Sequence, residues 1–334
     1  MKKILTLLLA LWMLTGCVAM AAGNQLVVGS TTAMSGAFFT DLFGSNTADI
    51  DVRALLHGYN LMCWDHETGT YQINDSVVAG MAVSRDAQNN RVYTFDLYGD
   101  LKFSDGSAIT AKDYAFSILL TASPELAKLG GQSAAVGAIL GMDAYQSGKS
   151  SVLRGVRLLS DTQMSITISK AYEPYFYEMA LFDYSPYPIS VLAPGCKVVD
   201  TEKGVGIVNA SGTGTAIFTA GLLQKTILDA ATGYMSHPSV VSGPYTLTSY
   251  DAQRATASFA INPYYKGNED GEKPTIETIV YRTVANDEAI DLLLSGEVDL
   301  QQDGGRRYDQ QGDSIHCGSA VLRGELPAQR PEHD

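Results

Sequence analysis

Histidine, cysteine and tryptophan are scarce, with five, four and two among 334 residues. The histidines are scattered, and no His-Glu-x-x-His pattern occurs, which excludes the common zinc-hydrolase helix. His66, beside Trp64, Asp65 and Glu67, lacks a second histidine at ligand spacing, and a turn over Asp65 to Gly69 accounts for that segment better than a metal. No Cys-x-x-Cys pair, Gly-x-Ser-x-Gly elbow or phosphate-binding loop is present. Cations are also in deficit: Lys+Arg number 23 against 36 Asp+Glu, a formal charge of -13. Phosphate recognition needs clustered cations, so neither nucleic acid nor an anionic lipid surface is an expected partner. Beyond the first residues no stretch is apolar for long enough to cross a bilayer, and no internal repeat is visible. No catalytic residue, metal ligand or cofactor is therefore expected. A secreted hydrolase built on two carboxylates stands as an alternative, because such pairs have no fixed spacing.

The N-terminus is more informative. Lys2 and Lys3 precede an apolar run from Ile4 to Leu14, the layout of an export signal. Leu14-Thr15-Gly16-Cys17 matches the lipobox of bacterial lipoproteins, which makes 1–16 a signal peptide, Cys17 the lipidated residue and 17–25 a linker. Cleavage after Ala19-Met20-Ala21 is the rival and would release a soluble protein. Roughly 300 residues then remain, enough for two lobes. Cys63 and Cys196 either bridge outside the cell or stand as two separate buried thiols.

Leu26 to Ser30 reads as a buried strand, and the Ser-, Thr- and Gly-rich stretch from Thr31 to Thr47 as a loop suited to ligand contact. Asp49 or Asp51 can cap a helix carrying Ala54, Leu55 and Leu56. Tyr93 to Tyr98 alternates like a strand. Thr110-Ala111-Lys112-Asp113 fits a helix entry whose apolar face is Tyr114, Phe116, Ile118 and Leu119. Val156 to Leu159 and Met164 to Ile168 flank a turn as a hairpin. Pro174 to Phe182 suggests an aromatic helix, more a matter of core packing than of cleft lining for Tyr172, Tyr175, Phe176 and Tyr177. Ser185 to Pro194 is too proline-rich for a regular element, Val199 to Thr215 reads as glycine-rich loop, and Ala216 to Ala231 has helical spacing. Val240 to Leu247 reads as a strand broken by a Gly-Pro turn. Ile276 to Arg282, Asp287 to Leu294 and Val298 to Leu300 make a βαβ-like unit. After Leu300 apolar periodicity is lost.

Four blocks carry a resemblance. Tyr93-Thr94-Phe95-Asp96-Leu97, Lys102 to Ser107 and Thr110 to Asp113 form the first; Gly155-Val156 with Pro174 to Tyr177 the second. Ser242-Gly243-Pro244-Tyr245-Thr246-Leu247 leading to Asn262-Pro263-Tyr264-Tyr265-Lys266-Gly267 is the third, with Tyr265 where tryptophan is usual. Leu294-Ser295-Gly296-Glu297-Val298-Asp299 is the fourth. In order and spacing they resemble the peptide-type (family 5) extracellular solute-binding proteins of ABC importers.

That resemblance implies an α/β fold of the two-lobed periplasmic-binding-protein type (type II, cluster C) with an inserted subdomain, the second lobe being largely missing here. It divides the chain into lobe I at 26–56 and 183–260, an inserted subdomain at 57–182, the start of a second lobe at 261–300 and a disordered tail at 301–334. The tail's composition resembles out-of-frame translation or a truncated gene product, a genuine short extension being the other reading. The implied function is capture of short peptides or a similar solute for delivery to ABC permease subunits, by a monomer held on the outer side of the cell membrane by the lipid on Cys17. A non-functional truncated product is the alternative. Gly44, Ser45, Asn46 and Thr47 are the implied main-chain contacts to an extended ligand, helix capping explaining them equally well. Ser242 and Gly243 fall near the implied inter-lobe hinge, with a plain structural turn as the competing explanation.

Overall fold

The computed structural model describes residues 24–44, 46–65, 68–132, 137–175, 177–303, 306–308 and 314–315. Its strands are β1 (Gln25–Ser30), β2 (Met62–Asp65), β3 (Thr70–Ile73), β4 (Val78–Arg85), β5 (Arg91–Leu97), β6 (Val152–Leu153), β7 (Val156–Leu158), β8 (Gln163–Ile168), β9 (Cys196–Thr201), β10 (Gly204–Asn209), β11 (Tyr245–Asp251), β12 (Thr256–Ile261), β13 (Thr278–Thr283), β14 (Leu300–Asp303), β15 (Arg306–Tyr308) and β16 (Ser314–Ile315). The longer helices are α1 (Thr47–Leu56), α2 (Ala111–Thr121), α3 (Ala220–Thr226) and α4 (Ala289–Leu294).

One sheet runs β11-β12-β13-β1-β14-β15-β16. β1 is central and parallel to both neighbours, with Gln25 opposite Thr278 and Val28 opposite Leu300. A strand covered on both faces needs apolar residues in succession, which is what the run after Gln25 supplies. Helix α1 buries Ala48, Val52 and Leu56, spaced four apart, in the core formed with Phe38, Tyr245, Phe259 and Ile279.

Two expectations change here. The segment 261–300 does not begin a separate lobe: β13 and β14 both hydrogen-bond to β1. They are joined through α4, the crossover that parallel strands require. Within 301–334, expected to be a disordered tail, the described residues 301–303, 306–308 and 314–315 pair as β14, β15 and β16 and extend the sheet, the others lying outside the described residues. Backbone pairing to an existing edge demands no apolar periodicity, so the sequence pattern carries no trace of it. Residues 316–334 lie outside the described residues, as does the signal segment with Cys17.

A second core fills the region between α1 and β11. It contains the sheet β4-β5-β8-β7, the hairpin β2-β3 and the sheet β6-β10-β9. α2 is buried through Tyr114, Phe116, Ile118 and Leu119, and the Asp113 carboxylate accepts from the Thr110 amide and hydroxyl at 2.8 and 2.9 Å, fixing the helix start. Leu192, Val198, Val205, Leu223, Ile227 and Tyr234 belong to the same buried cluster as Phe95 and Phe116. The insertion therefore packs well past the expected boundary at 182, and the chain re-enters the first core at Val241.

Three local expectations also change. Val199 to Thr215 is mostly the hairpin of β9 and β10, not loop. Its glycines serve close packing: at Gly204, φ +134°, a Cβ would lie 2.4 Å from the Leu153 carbonyl oxygen. Between Pro188 and Pro194, a single helical turn forms at Ile189–Leu192, using proline at the entry where no amide is needed. The aromatic helix over 174–182 reduces to a 3-10 turn at Glu178–Phe182, with Tyr175 and Tyr177 exposed. Phe176 lies outside the described residues. Cys63 and Cys196 are free thiols, each with its pKa raised first by burial, Cys63 to about 11.

Candidate functional site

The parallel strands β1 and β13 end side by side, with the Val284 amide donating to the Ser30 carbonyl at 3.0 Å. In open α/β sheets the ligand crevice lies beyond these carboxyl ends. Here that position is held by the segment Thr31–Ser35, small apart from the buried Met34 and mostly polar, of which Ala33 and Ser35 are exposed. Its backbone is fixed from outside. Thr32 and Ser30 exchange hydrogen bonds through the Ser30 hydroxyl. The buried Asp49 carboxylate accepts from the Ser35 amide (2.9 Å), the Ser35 hydroxyl (2.6 Å) and the Gly36 amide (3.2 Å). Gly36 has φ +87°, a conformation that favours glycine.

Gly44, Asn46 and Thr47 form the entry to α1. Asn46 is the N-cap: its side-chain oxygen accepts from the Asp49 amide at 3.0 Å while its own amide donates to Asp49 at 3.2 Å. Its side-chain nitrogen donates to the Ala33 carbonyl at 2.8 Å, so it also holds the segment that follows β1. Thr47 is the first helical residue, and Gly44 is exposed in a left-handed turn closed onto the Asp41 carbonyl. Ser45 lies outside the described residues. Helix capping thus accounts for Asn46 and Thr47; the cap is Asn46, not Asp49 or Asp51, and Asp49 is its reciprocal partner.

Ser242 and Gly243 are buried where the chain crosses between the two cores. The Ser242 hydroxyl donates to the Gly58 carbonyl at 3.0 Å and accepts from the Gly58 amide at 3.2 Å, while the Gly243 amide donates to the Leu56 carbonyl at 2.8 Å. Asn262 donates to the Gly243 carbonyl, and Tyr265 stacks on Tyr59 with ring centroids 5.0 Å apart. The Ser242 hydroxyl and the Gly243 amide and carbonyl are thus engaged internally, and the two residues brace the joint between the cores.

Beside the loop, Thr40, Asp41, Leu42, Asp183, Tyr184 and Tyr187 line a cavity of about 280 Å³. The ring of His57 packs between Phe39, Tyr187 and Tyr234. Burial drives its pKa down to about 4, opposed by its bond to the Phe38 carbonyl and helped by the nearby Arg53 guanidinium, so the ring is neutral near pH 7. Burial pushes the Tyr184 and Tyr187 hydroxyls up to about 12. Among the described residues no group of His, Cys, Asp and Glu could hold a metal, and no helix is long and apolar enough to cross a membrane.

This two-core α/β architecture, with a loop held at the ends of parallel strands, is a fold also seen in solved OppA proteins. The chain belongs to the bacterial extracellular solute-binding proteins, family 5, whose middle region matches residues 76–313. It is 33% identical over 111 residues to the periplasmic oligopeptide-binding protein OppA of Escherichia coli, covering 33% of this chain and 20% of that protein. To the oligopeptide-binding protein OppA of Lactococcus lactis it is 26% identical over 229 residues, covering 67% and 32%. Lactococcal OppA, solved with an endogenous peptide in the closed conformation, shares the fold at TM-score 0.58 and 19% identity, covering 84% of this chain and 46% of that one. The chain therefore spans a fifth to a third of these curated relatives and under half of the solved structure.

Proposed function

We propose that this is the solute-capturing component of an ABC importer, that it takes short peptides along the Thr31–Ser35 edge, and that it passes them to permease subunits in the membrane. The observation that carries the reading is family membership across residues 76–313, joined to relatives named as oligopeptide- and dipeptide-binding proteins. The geometry supports it, since an extended peptide is held by pairing of backbone N–H and C=O groups, and a backbone-fixed loop of small residues leaves room for that. Gly44 to Thr47 contribute by holding the loop entry, and Ser242 and Gly243 by bracing the joint. The protein works as a monomer, outside the cytoplasm, tethered by a lipid on Cys17, and without an enzymatic step.

The test is thermal unfolding of the processed chain with tri- to pentapeptides, against free sugars as controls. Peptide at one hundred times its Kd is expected to add about 2.7 kcal/mol of stability, with the peptide recovered intact. Consumption of the peptide, or no shift with any peptide up to millimolar concentration, sinks the proposal. Loss of labelled palmitate incorporation on Cys17→Ala tests the anchor.

A further inference from the structure

Four polar residues of the α1 region, Asn46, Asp49, Arg53 and His57, are spaced three, four and four apart and so share one face of the helix. All four engage the loop that follows β1. Asn46 donates to the Ala33 carbonyl at 2.8 Å. The Asp49 carboxylate takes the amides of Ser35 and Gly36. The Arg53 guanidinium donates to the Ala37 carbonyl at 2.8 Å. His57 Nε2 stands 3.0 Å from the Phe38 carbonyl and must carry the hydrogen, because a carbonyl can only accept. The Phe38 amide in turn donates to the Met235 carbonyl of the insertion at 2.9 Å. From Ala33 to Phe38 the helix thus hydrogen-bonds the loop almost entirely through its backbone, a carboxylate facing amides and donors facing carbonyls, while the Met34 and Phe38 side chains pack into the sheet core. Of the loop's side chains, the Ser35 hydroxyl is the one that hydrogen-bonds to these four residues among the described residues.

We infer that Asn46, Asp49, Arg53 and His57 are positioning residues, a clamp that sets the conformation of Ala33–Phe38 and thereby of the ligand-facing edge beside it. The importance of that edge rests on the peptide-binding reading above; the clamp itself does not. Because the clamp's hydrogen bonds are made almost entirely to main chain, it fixes the path of a binding edge by a means separate from the core packing of Met34 and Phe38, and it ties that edge to the joint, since His57 is the residue after α1 and precedes Gly58.

The experiment is amide hydrogen exchange on the full chain, with peptide titration in parallel, for Asp49→Asn, Arg53→Met, Arg53→Lys, His57→Phe and His57→Gln. Ile50→Ala, an exposed change off the clamp face, is the control. Asp49→Asn replaces one of two acceptor oxygens by a donor pointing at amides. It is expected to speed exchange at Ser35 and Gly36 by ~tenfold or more, the scale of a lost hydrogen bond to a charged group, while β13 amides are unchanged. Peptide affinity is expected to fall by ~tenfold with it. Arg53→Lys and His57→Gln retain a donor and should stay near wild type, whereas Arg53→Met and His57→Phe should follow Asp49→Asn. Loop exchange that only tracks β13 in every variant makes the effect one of global stability and overturns the clamp. Faster loop exchange with unchanged peptide affinity overturns its link to binding. If the unsubstituted chain binds no peptide, the peptide-binding reading fails and the exchange data alone decide for or against the clamp.

Discussion

The two cores are built from the chain in opposite ways. The insertion draws its cluster almost wholly from one stretch, Tyr59 to Tyr234, with Phe39, Leu42 and Tyr265 packing onto it from outside. The sheet core is assembled from both sides of that stretch, Leu26 to Leu56 and Val241 to Leu300. Continuity of this kind sets a folding dependence. An insertion that folds alone brings Leu56 and Val241 together, whereas an unfolded insertion leaves the sheet core to close a very long loop, a cost of roughly 4–5 kcal/mol.

The sharpest way to break that comparison is a matched pair of cavity substitutions. Phe116 and Phe259 are both fully buried, one in each core. Phe116→Ala and Phe259→Ala should each cost about 3–5 kcal/mol locally. Their reach should differ. Phe116→Ala is expected to lower hydrogen-exchange protection in β5 and also in β13, while Phe259→Ala should lower β13 and leave β5 protected. Equal reach in both directions would mean that the two cores are one cooperative unit and that continuity decides nothing.

Two buried titratable groups give opposite pH slopes. His57 has its pKa depressed from 6.5 to about 4, so its contribution is present above pH 6.5 and lost as pH falls toward 4. Asp113, beneath the start of α2, has its pKa raised by burial from 3.8 to about 6, partly offset by its bonds from Thr110, so its contribution is present below 3.8 and lost as pH rises through 6. Each is worth on the order of 3 kcal/mol. Urea midpoints at pH 4.5, 5.5 and 7 should show His57→Phe gaining relative stability on the acid side and Asp113→Asn on the neutral side. Identical pH profiles for both variants would show that neither environment is as described.

Gly243 tests the joint between the regions. A Cβ there would lie 2.5 Å from the Leu56 carbonyl carbon and 2.6 Å from the Leu55 oxygen, all backbone and unable to yield cheaply. Gly243→Ala should cost about 1–3 kcal/mol, and the loss should register in the exchange of both cores. A loss confined to one core would show that the joint does not couple them.

Elements dictated by local chemistry were legible in the sequence: the first strand, the Thr110–Asp113 helix entry and the β7-β8 hairpin all stand where residue patterns put them. Hidden were features fixed by partners distant in sequence. Nothing in Gln301 to Asp303 announces a strand, because β1 supplies its hydrogen bonds, and the glycines of β10 look like loop until β6 is placed against them. At the candidate site the loop after β1 was legible but its agents were not. Asn46, Asp49, Arg53 and His57 have one-face spacing beside the apolar Ala48, Val52 and Leu56, a signal in plain view that pointed to no chemistry until the loop lay against it.

The smallest expected effect bears on where the insertion ends. Arg157 Nε donates to both oxygens of Asp200 at 3.0 Å, and Asp200 also accepts from the Leu158 amide at 2.8 Å, tying β9 to β7. Arg157 is 41% exposed along its side chain and Asp200 16%, so the ion pair is screened and its own worth is about 0.5–1 kcal/mol. Asp200→Ala should cost more than Arg157→Ala, because it also strips the Leu158 amide of its acceptor. A double-mutant cycle isolates the pair, and its coupling should appear in the unfolding of the insertion and not in exchange at β13. Coupling that registers in β13 would assign the β9-β10 hairpin to the sheet core and move the boundary between the two regions back toward residue 182.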